Sequence, residues 1–195
     1  YLTTEYGNAS SLYSVGRSAK RAIEKARNRV AELLNCNHNE IYFTGGGSES
    51  DNIALKGFVY ANKEKGNHII TSKIEHPAIL ETCKTLERQG FEVSYINVNE
   101  NGIIDVEELR KSIKTNTILI SVMTANNEVG TVQPIEEIAK IAHDNNIIFH
   151  TDAVQAIGNV QIDVEKMRID MLSLSSHKIN GPKGIGIMYI RKGVK

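Results

Sequence analysis

The chain has 195 residues, 41% hydrophobic and 24% charged, and its 23 basic and 23 acidic side chains cancel to zero net charge. That is the composition of a soluble globular chain with enough apolar mass for one domain. The neutral balance argues against nucleic acid and against an anionic membrane as partner, and the longest apolar run, near 117–123, is too short to span a bilayer. The first ten residues are polar and carry no signal-peptide pattern. Cys36 and Cys83 lack CxxC spacing, which disfavours zinc or thioredoxin-like chemistry and points to a reducing setting. The expectation is a cytoplasmic protein, or one of a mitochondrial-type compartment in a eukaryote.

Residues 1–11 have no regular period and read as a loop. The chain starts on Tyr1 rather than methionine, so a piece of a longer protein is expected. Residues 12–35 are helical in period. Ile23, Ala26, Val30 and Leu33 form the expected packed stripe, and Lys20, Arg21, Glu24 and Lys25 a solvated face. A short strand at 40–44 runs into Gly45-Gly46-Gly47-Ser48, and a helix is predicted over 49–56. A strand, a glycine turn and a helix start make an anion site, because free backbone N–H groups and the helix dipole point to one place. Ser48 is a candidate hydroxyl donor or cap. Taken alone, the glycines are equally explained by turn geometry, and no Gly-Lys-Ser/Thr follows to make a P-loop.

The next strand is 68–72. Pro77 suits the first turn of a helix over 78–89, which leaves His76 just before the helix, as a cap, a surface residue or a ligand-facing ring. A strand at 92–98, a turn at 99–102 and a helix at 105–113 capped by Asp105 follow. Residues 117–123 are almost continuously apolar, as in a strand covered on both faces. Asn126 and Asn127 lie in the loop after it, where asparagines commonly hold a turn. A helix at 135–144 shows Ile135, Ile138, Ala139 and Ala142 on one side. A strand at 147–151 ends in Asp152-Ala153-Val154-Gln155. Another, at 169–175, leads into Ser175-Ser176-His177-Lys178 and a Gly/Pro-rich loop, and a last strand occupies 185–190.

Alternation of strands and helices predicts an α/β fold, a mainly parallel sheet sandwiched by helices. Ligands in such sheets bind beyond the carboxyl ends of the strands. The chemistry-bearing residues fall there: Gly47 and Ser48, His76, Asn127, Asp152 with Gln155, and Ser175, His177 and Lys178 after successive strands. Each has an ordinary explanation alone, but their recurrence on one rim points to a site. Lys178 supplies an amine for a Schiff base, and Asp152 an acid for an aromatic ring nitrogen. Gln155 lies three residues on, within reach of a phenolic oxygen. Ser48, Ser175, His177 and the glycine turn suit a phosphate, and His76 is a flat ring for stacking. Together these are the groups needed for pyridoxal 5′-phosphate. No histidines pair as HxxxH, so no metal is expected, and no Gly-x-Ser-x-Gly supports a serine hydrolase.

Several stretches taken together resemble cysteine desulfurases of the NifS/IscS branch, which are class-V, fold-type I pyridoxal-phosphate enzymes. They are Tyr6-Gly7-Asn8-Ala9-Ser10-Ser11, Thr44 to Asn52, Glu75-His76-Pro77-Ala78, Asn126 to Gly130, Thr151 to Gln155 and Ser175-Ser176-His177-Lys178. The resemblance runs along essentially the whole chain. It implies that Lys178 and His76 are catalytic, with His76 stacked on the cofactor. It further implies cofactor contacts from Gly47, Ser48, Asn127, Asp152, Gln155, Ser175 and His177. The implied substrate is L-cysteine, the implied assembly a homodimer, and the implied partner a sulfur acceptor such as an iron–sulfur scaffold.

The family's persulfide cysteine and its substrate-binding arginine lie downstream of the Schiff-base lysine, and neither has a match here. Cys36 and Cys83 are expected to be buried or inert. Residues 1–195 therefore resemble the large cofactor domain, incomplete at both ends and without the small C-terminal domain. Two other readings stand beside this one: a non-catalytic cofactor-binding or interaction fragment, and another fold-type I enzyme such as an aminotransferase or a selenocysteine lyase.

Overall fold

The computed structural model describes residues 6–195. The first part of the loop expected over 1–11 lies outside the described residues. All the expected strands form, with bounds shifted by a residue or two: β1 (Ile41–Thr44), β2 (His68–Ser72), β3 (Glu92–Ile96), β4 (Thr117–Ser121), β5 (Ile148–Asp152), β6 (Met171–Ser175) and β7 (Gly186–Ile190). They make one sheet in the order β1-β7-β6-β5-β4-β2-β3. Pairing is parallel from β3 through β6, and β7 alone runs against both its neighbours. The carboxyl ends of β1, β2, β4, β5 and β6 therefore share one rim.

Helices α1 (Ser14–Leu34), α2 (Gly47–Asn52), α3 (Phe58–Ala61), α4 (Pro77–Glu87), α5 (Val106–Lys111) and α6 (Ile135–Asp144) cover both faces of the sheet. Leu34 of α1, Leu109 of α5 and Ile138 of α6 join Ile70, Ile120, Phe149 and Leu172 on one face. Leu55, Phe58, Ile79, Cys83 and Leu86 meet Ile69, Leu119, Met171 and Met188 on the other. Neighbouring residues of one strand enter opposite clusters, as the two-residue period of a strand requires. Because both faces are covered, β2, β4 and β6 are buried at every position. Asp105 caps α5 as expected, accepting the Glu108 N–H at 2.9 Å.

Two expectations are corrected. The packed side of α1 is not the Ile23–Leu33 stripe. Gly16, Ala19, Ala31 and Leu34 are buried, whereas Ile23 and Leu33 are 40% and 74% exposed and Val30 is only partly covered. The helix approaches closely through small residues: a Cβ on Gly16 would strike the carbonyl oxygen of Asn8. A hydrophobicity pattern weights large side chains and overlooks such a contact. Arg27 fixes the same helix to β1, donating to the Ile41 carbonyl and lying 5.1 Å from the centre of the Phe43 ring.

The second correction concerns the helix after the glycine turn. It begins at Gly47 rather than Glu49 and continues past Lys56, through a π-helical stretch at Ile53–Gly57, to the end of α3. Phe58 and Val59 are buried, so the apolar face carries the helix on. Its N-cap is Gly46, with no side-chain bond, and Ser48 lies inside the first turn rather than at the cap.

Candidate active site

The rim opens into a cavity of about 200 Å3 lined by residues from several strand ends. All nine predicted site residues border it: Gly47 and Ser48 after β1, His76 after β2, Asn127 after β4, Asp152 and Gln155 at and after β5, and Ser175, His177 and Lys178 at and after β6. Their convergence follows from the parallel topology, because each loop leaves the sheet on the same side. β7 reaches the rim beside the glycine turn. A Cβ on Gly186 would collide with the backbone of Gly46, so a side chain there would push the turn away. Gly47 is equally confined: its Cβ would lie 2.8 Å from Val154 and 3.5 Å from the Ser175 side chain.

Local bonds set the orientation of the polar groups. His76 caps α4, with its Nδ1 accepting the Ala78 N–H at 3.1 Å. That bond leaves the ring proton of the neutral imidazole on Nε2. The capping role and the cavity role therefore belong to the same residue. The Ser175 hydroxyl and His177 Nδ1 are paired at 2.7 Å. Of the two asparagines, Asn126 holds the turn: its Oδ1 accepts from Glu128 and Val129, and its amide donates to the Ile74 carbonyl. Asn127 is the one on the cavity. Lys178 stands at the mouth on a 3₁₀ turn, Ser176–Ile179, and is exposed.

Asp152 is buried, with Oδ1 accepting the Val154 N–H at 2.9 Å. Burial raises its pKa above the ordinary value, while the Val154 N–H and nearby His76 pull the other way. Sequence reasoning missed the acids and the base beneath it. Asp51 of α2 also lines the cavity and is 1% exposed; burial and the Asp152 charge hold its pKa well above the usual carboxylate range. Glu75 is buried and accepts from the Ser72 hydroxyl and the Met123 N–H, yet burial pushes its pKa up to about 8. His150 is fully buried between the hydroxyls of Ser121, at 2.9 Å, and Ser173, at 3.0 Å. Burial lowers its pKa to about 3. One signal for Asp51 was present: four residues after Gly47, it repeats that residue's helical face.

Among the described residues neither cysteine lines this cavity. Cys83 is buried in α4 and Cys36 is partly buried after α1; burial pushes both thiols up to about 12. Both are protonated near neutrality, as expected of inert thiols. No group of three or more His, Cys, Asp or Glu that could hold a metal ion occurs among the described residues. No helix among them is long and apolar enough to cross a membrane.

The sequence profile of the family described as "Aminotransferase class-V" matches residues 1–195. The chain belongs to the aminotransferase class-V family. This class-V chain is 59% identical over 195 residues to "Cysteine desulfurase IscS" of Methanosarcina thermophila, covering all of this chain and 48% of that protein. It is 57% identical to "Cysteine desulfurase IscS" of Clostridium botulinum (strain Kyoto / Type A2), covering 49% of that protein. A solved structure titled "NIFS-LIKE PROTEIN" superposes with a TM-score of 0.96 at 44% identity, over 99% of this chain and 53% of that one. Another, "SspA in complex with cysteine", gives a TM-score of 0.95 at 45% identity, over 97% of this chain and 55% of that one. The class-V chain thus spans about half the length of the curated relatives it matches.

Proposed function

We propose that this chain is the cofactor-holding part of a pyridoxal-5′-phosphate-dependent cysteine desulfurase, whose complete protein takes sulfur from L-cysteine. The observation that carries the reading is the convergence of Lys178, Asp152 and the Ser175–His177 pair on one cavity beside the glycine turn. The relatives named cysteine desulfurase, and the similar structure titled as a complex with cysteine, support the choice of substrate.

The residues present fit the cofactor. A buried carboxyl on the cavity floor suits a ring N–H, since an unpaired carboxylate there is costly. Backbone N–H groups at Gly47 and Ser48, with the Ser175 hydroxyl and His177, suit a phosphate. The Nε2–H of His76 and the Gln155 amide lie on the same cavity, for the ring face and the phenolic oxygen. When bound, the cofactor supplies an aldehyde carbon for amines and a ring that withdraws electrons from the substrate.

The chain's own residues do the rest. Lys178, exposed at the mouth, would offer the amine that holds the cofactor and a base close to the substrate. Asp152 keeps the ring in place by accepting its N–H. His76, with Nδ1 committed to the α4 cap, holds or gives a proton at Nε2 alone. Asn127 orients the substrate side. Cys36 and Cys83, protonated and away from the cavity, do not receive the sulfur; the accepting thiol and the substrate-carboxylate partner are assigned to parts of the protein beyond this chain. A homodimer and delivery of sulfur to an acceptor such as an iron–sulfur scaffold belong to the same proposal.

The test is reduction of the complete protein with borohydride after adding pyridoxal 5′-phosphate. A pyridoxyl group on Lys178, found by mass spectrometry, is expected together with sulfide release from L-cysteine. Label on a different lysine, or none on folded protein, overturns the assignment. Amino-group transfer without sulfide release overturns the substrate.

A further inference from the structure

Beneath Asp152 lies a buried polar layer that the proposed function does not use. β2, β4, β5 and β6 place Thr71, Ser121, His150 and Ser173 in it, and strand register sets Thr71 opposite Ser121, Ser121 opposite His150, and Ser173 opposite Asp152. Asp51 descends on this layer from α2. Among the described residues its Oδ1 is buried and has no hydrogen-bond partner. The closest basic nitrogen, His150 Nε2, is 3.9 Å away and already engaged with Ser173.

We propose that Asp51 is a positioning residue that acts through Asp152: of the two buried carboxyls on this cavity, Asp51 keeps its proton and Asp152 remains the anion. The inference deepens the proposed function and rests on it for the ligand that Asp152 meets. Geometry separates the two acids. Asp152 has the Val154 N–H on Oδ1, and His76 faces it. Asp51 has neither advantage.

The groups facing Asp51 are Asp152 and His150 from β5, Glu75 from the segment before α4, and Ser173 from β6. None is a cation near neutrality, since His150 is held neutral by its burial. The Ser173 hydroxyl is the one group that favours an ionised Asp51, against burial and two other acids. A desolvated carboxyl with an unpaired oxygen is far less costly neutral, and two neighbouring buried carboxyls do not both ionise readily. The result is a cavity floor with one negative charge at a fixed atom. That matches a ligand bearing one ring N–H. With the proton on Asp152 instead, the floor would present a hydroxyl where an acceptor is needed.

The experiment uses the complete protein with 13C-carboxyl aspartate, free of cofactor. Asp51→Asn and Asp152→Asn assign the two signals, and thermal melts confirm that each variant folds. In the wild type, the signal lost in Asp51→Asn should be that of a protonated acid at pH 7. Its infrared carbonyl band should vanish in the same variant. Asp152→Asn should move the Asp51 titration downward, because the opposing charge is gone. Asp51→Asn should leave the Asp152 titration in place, because the amide mimics the neutral acid. An ionised Asp51 at pH 7, or the opposite asymmetry, overturns the proposal; where an Asn variant fails to fold, the corresponding Glu variant, which also removes the labelled aspartate, assigns the wild-type signal.

With 15N-labelled cofactor bound, the ring nitrogen should stay protonated in Asp51→Asn and lose its proton in Asp152→Asn. Equal ring shifts in both variants overturn the link to Asp152. Failure to bind cofactor at all overturns the proposed function while leaving the carboxyl measurements readable.

Discussion

The two faces of the sheet are built to different rules. Under α1, α5 and α6 the core is mainly apolar, with Ile70, Ile120, Phe149 and Leu172 in one cluster and Ser72 and Thr151 as its buried polar residues at the strand ends. Under α2, α3 and α4 the cluster is apolar only at the far end. Towards the rim it gives way to Thr71, Ser121, His150 and Ser173, with Asp51 and Glu75 above. The first face supplies adhesion. The second gives up some of it to hold ionisable and hydrogen-bonding groups at fixed atoms beside the cavity.

Mutations break or sharpen that contrast. The largest effect is expected on the apolar face: Phe149→Ala removes a fully buried ring and should cost roughly 3–5 kcal/mol, read as a lowered denaturation midpoint. A loss below about 1 kcal/mol would show that the apolar face is loosely packed. On the polar face, His150→Ala leaves the hydroxyls of Ser121 and Ser173 without this partner and should cost about 1–3 kcal/mol in all.

The polar face also carries a pH signature. His150 titrates at about 3 in the folded chain against 6.5 unfolded, so between those values the unfolded state binds the extra proton. The His150 contribution to stability is full above pH 6.5 and falls on acidification towards pH 3. His150→Gln should flatten that acid limb in denaturation curves measured across the window; an unchanged limb would place the buried charge elsewhere.

Glu75 has the opposite sign. Its folded value of about 8 exceeds the unfolded 4.5, so its contribution is complete below 4.5 and is lost as pH rises through 8. Glu75→Gln should therefore gain on the wild type between pH 4.5 and 8 and run parallel to it above. The smallest effect belongs to neither face. Leu33→Lys, on the exposed side of α1, should change stability by no more than about 0.5 kcal/mol, whereas a larger loss would mean that this stripe is covered in solution.

Much of this was legible in the residues. Each strand has its apolar run, Asp105 and Pro77 mark helix starts, and the named site residues sit where parallel strands end. Where the reading went astray, the deciding quantity was distance. The packed side of α1 depends on Gly16 and Ala19 coming close to a neighbouring loop, which a hydrophobicity pattern does not encode. Of the two roles open to Ser48, hydroxyl donor or cap, the second is removed, because the helix starts at Gly47 and places it inside the first turn. The local sequence does not show that Asp51, Glu75 and His150 are buried, although Asp51 repeats the helical face of Gly47.

The sequence by itself determined the alternation of strands and helices, the single rim, and the chemistry of Lys178, His76, Asp152 and the glycine turn, because side-chain type and backbone period are local properties. Only the tertiary structure decided which side of α1 is packed and which carboxyls lie out of water. Those depend on distances between segments far apart in the chain, and on burial, which sets the proton affinity of an acid more strongly than its neighbours in sequence do.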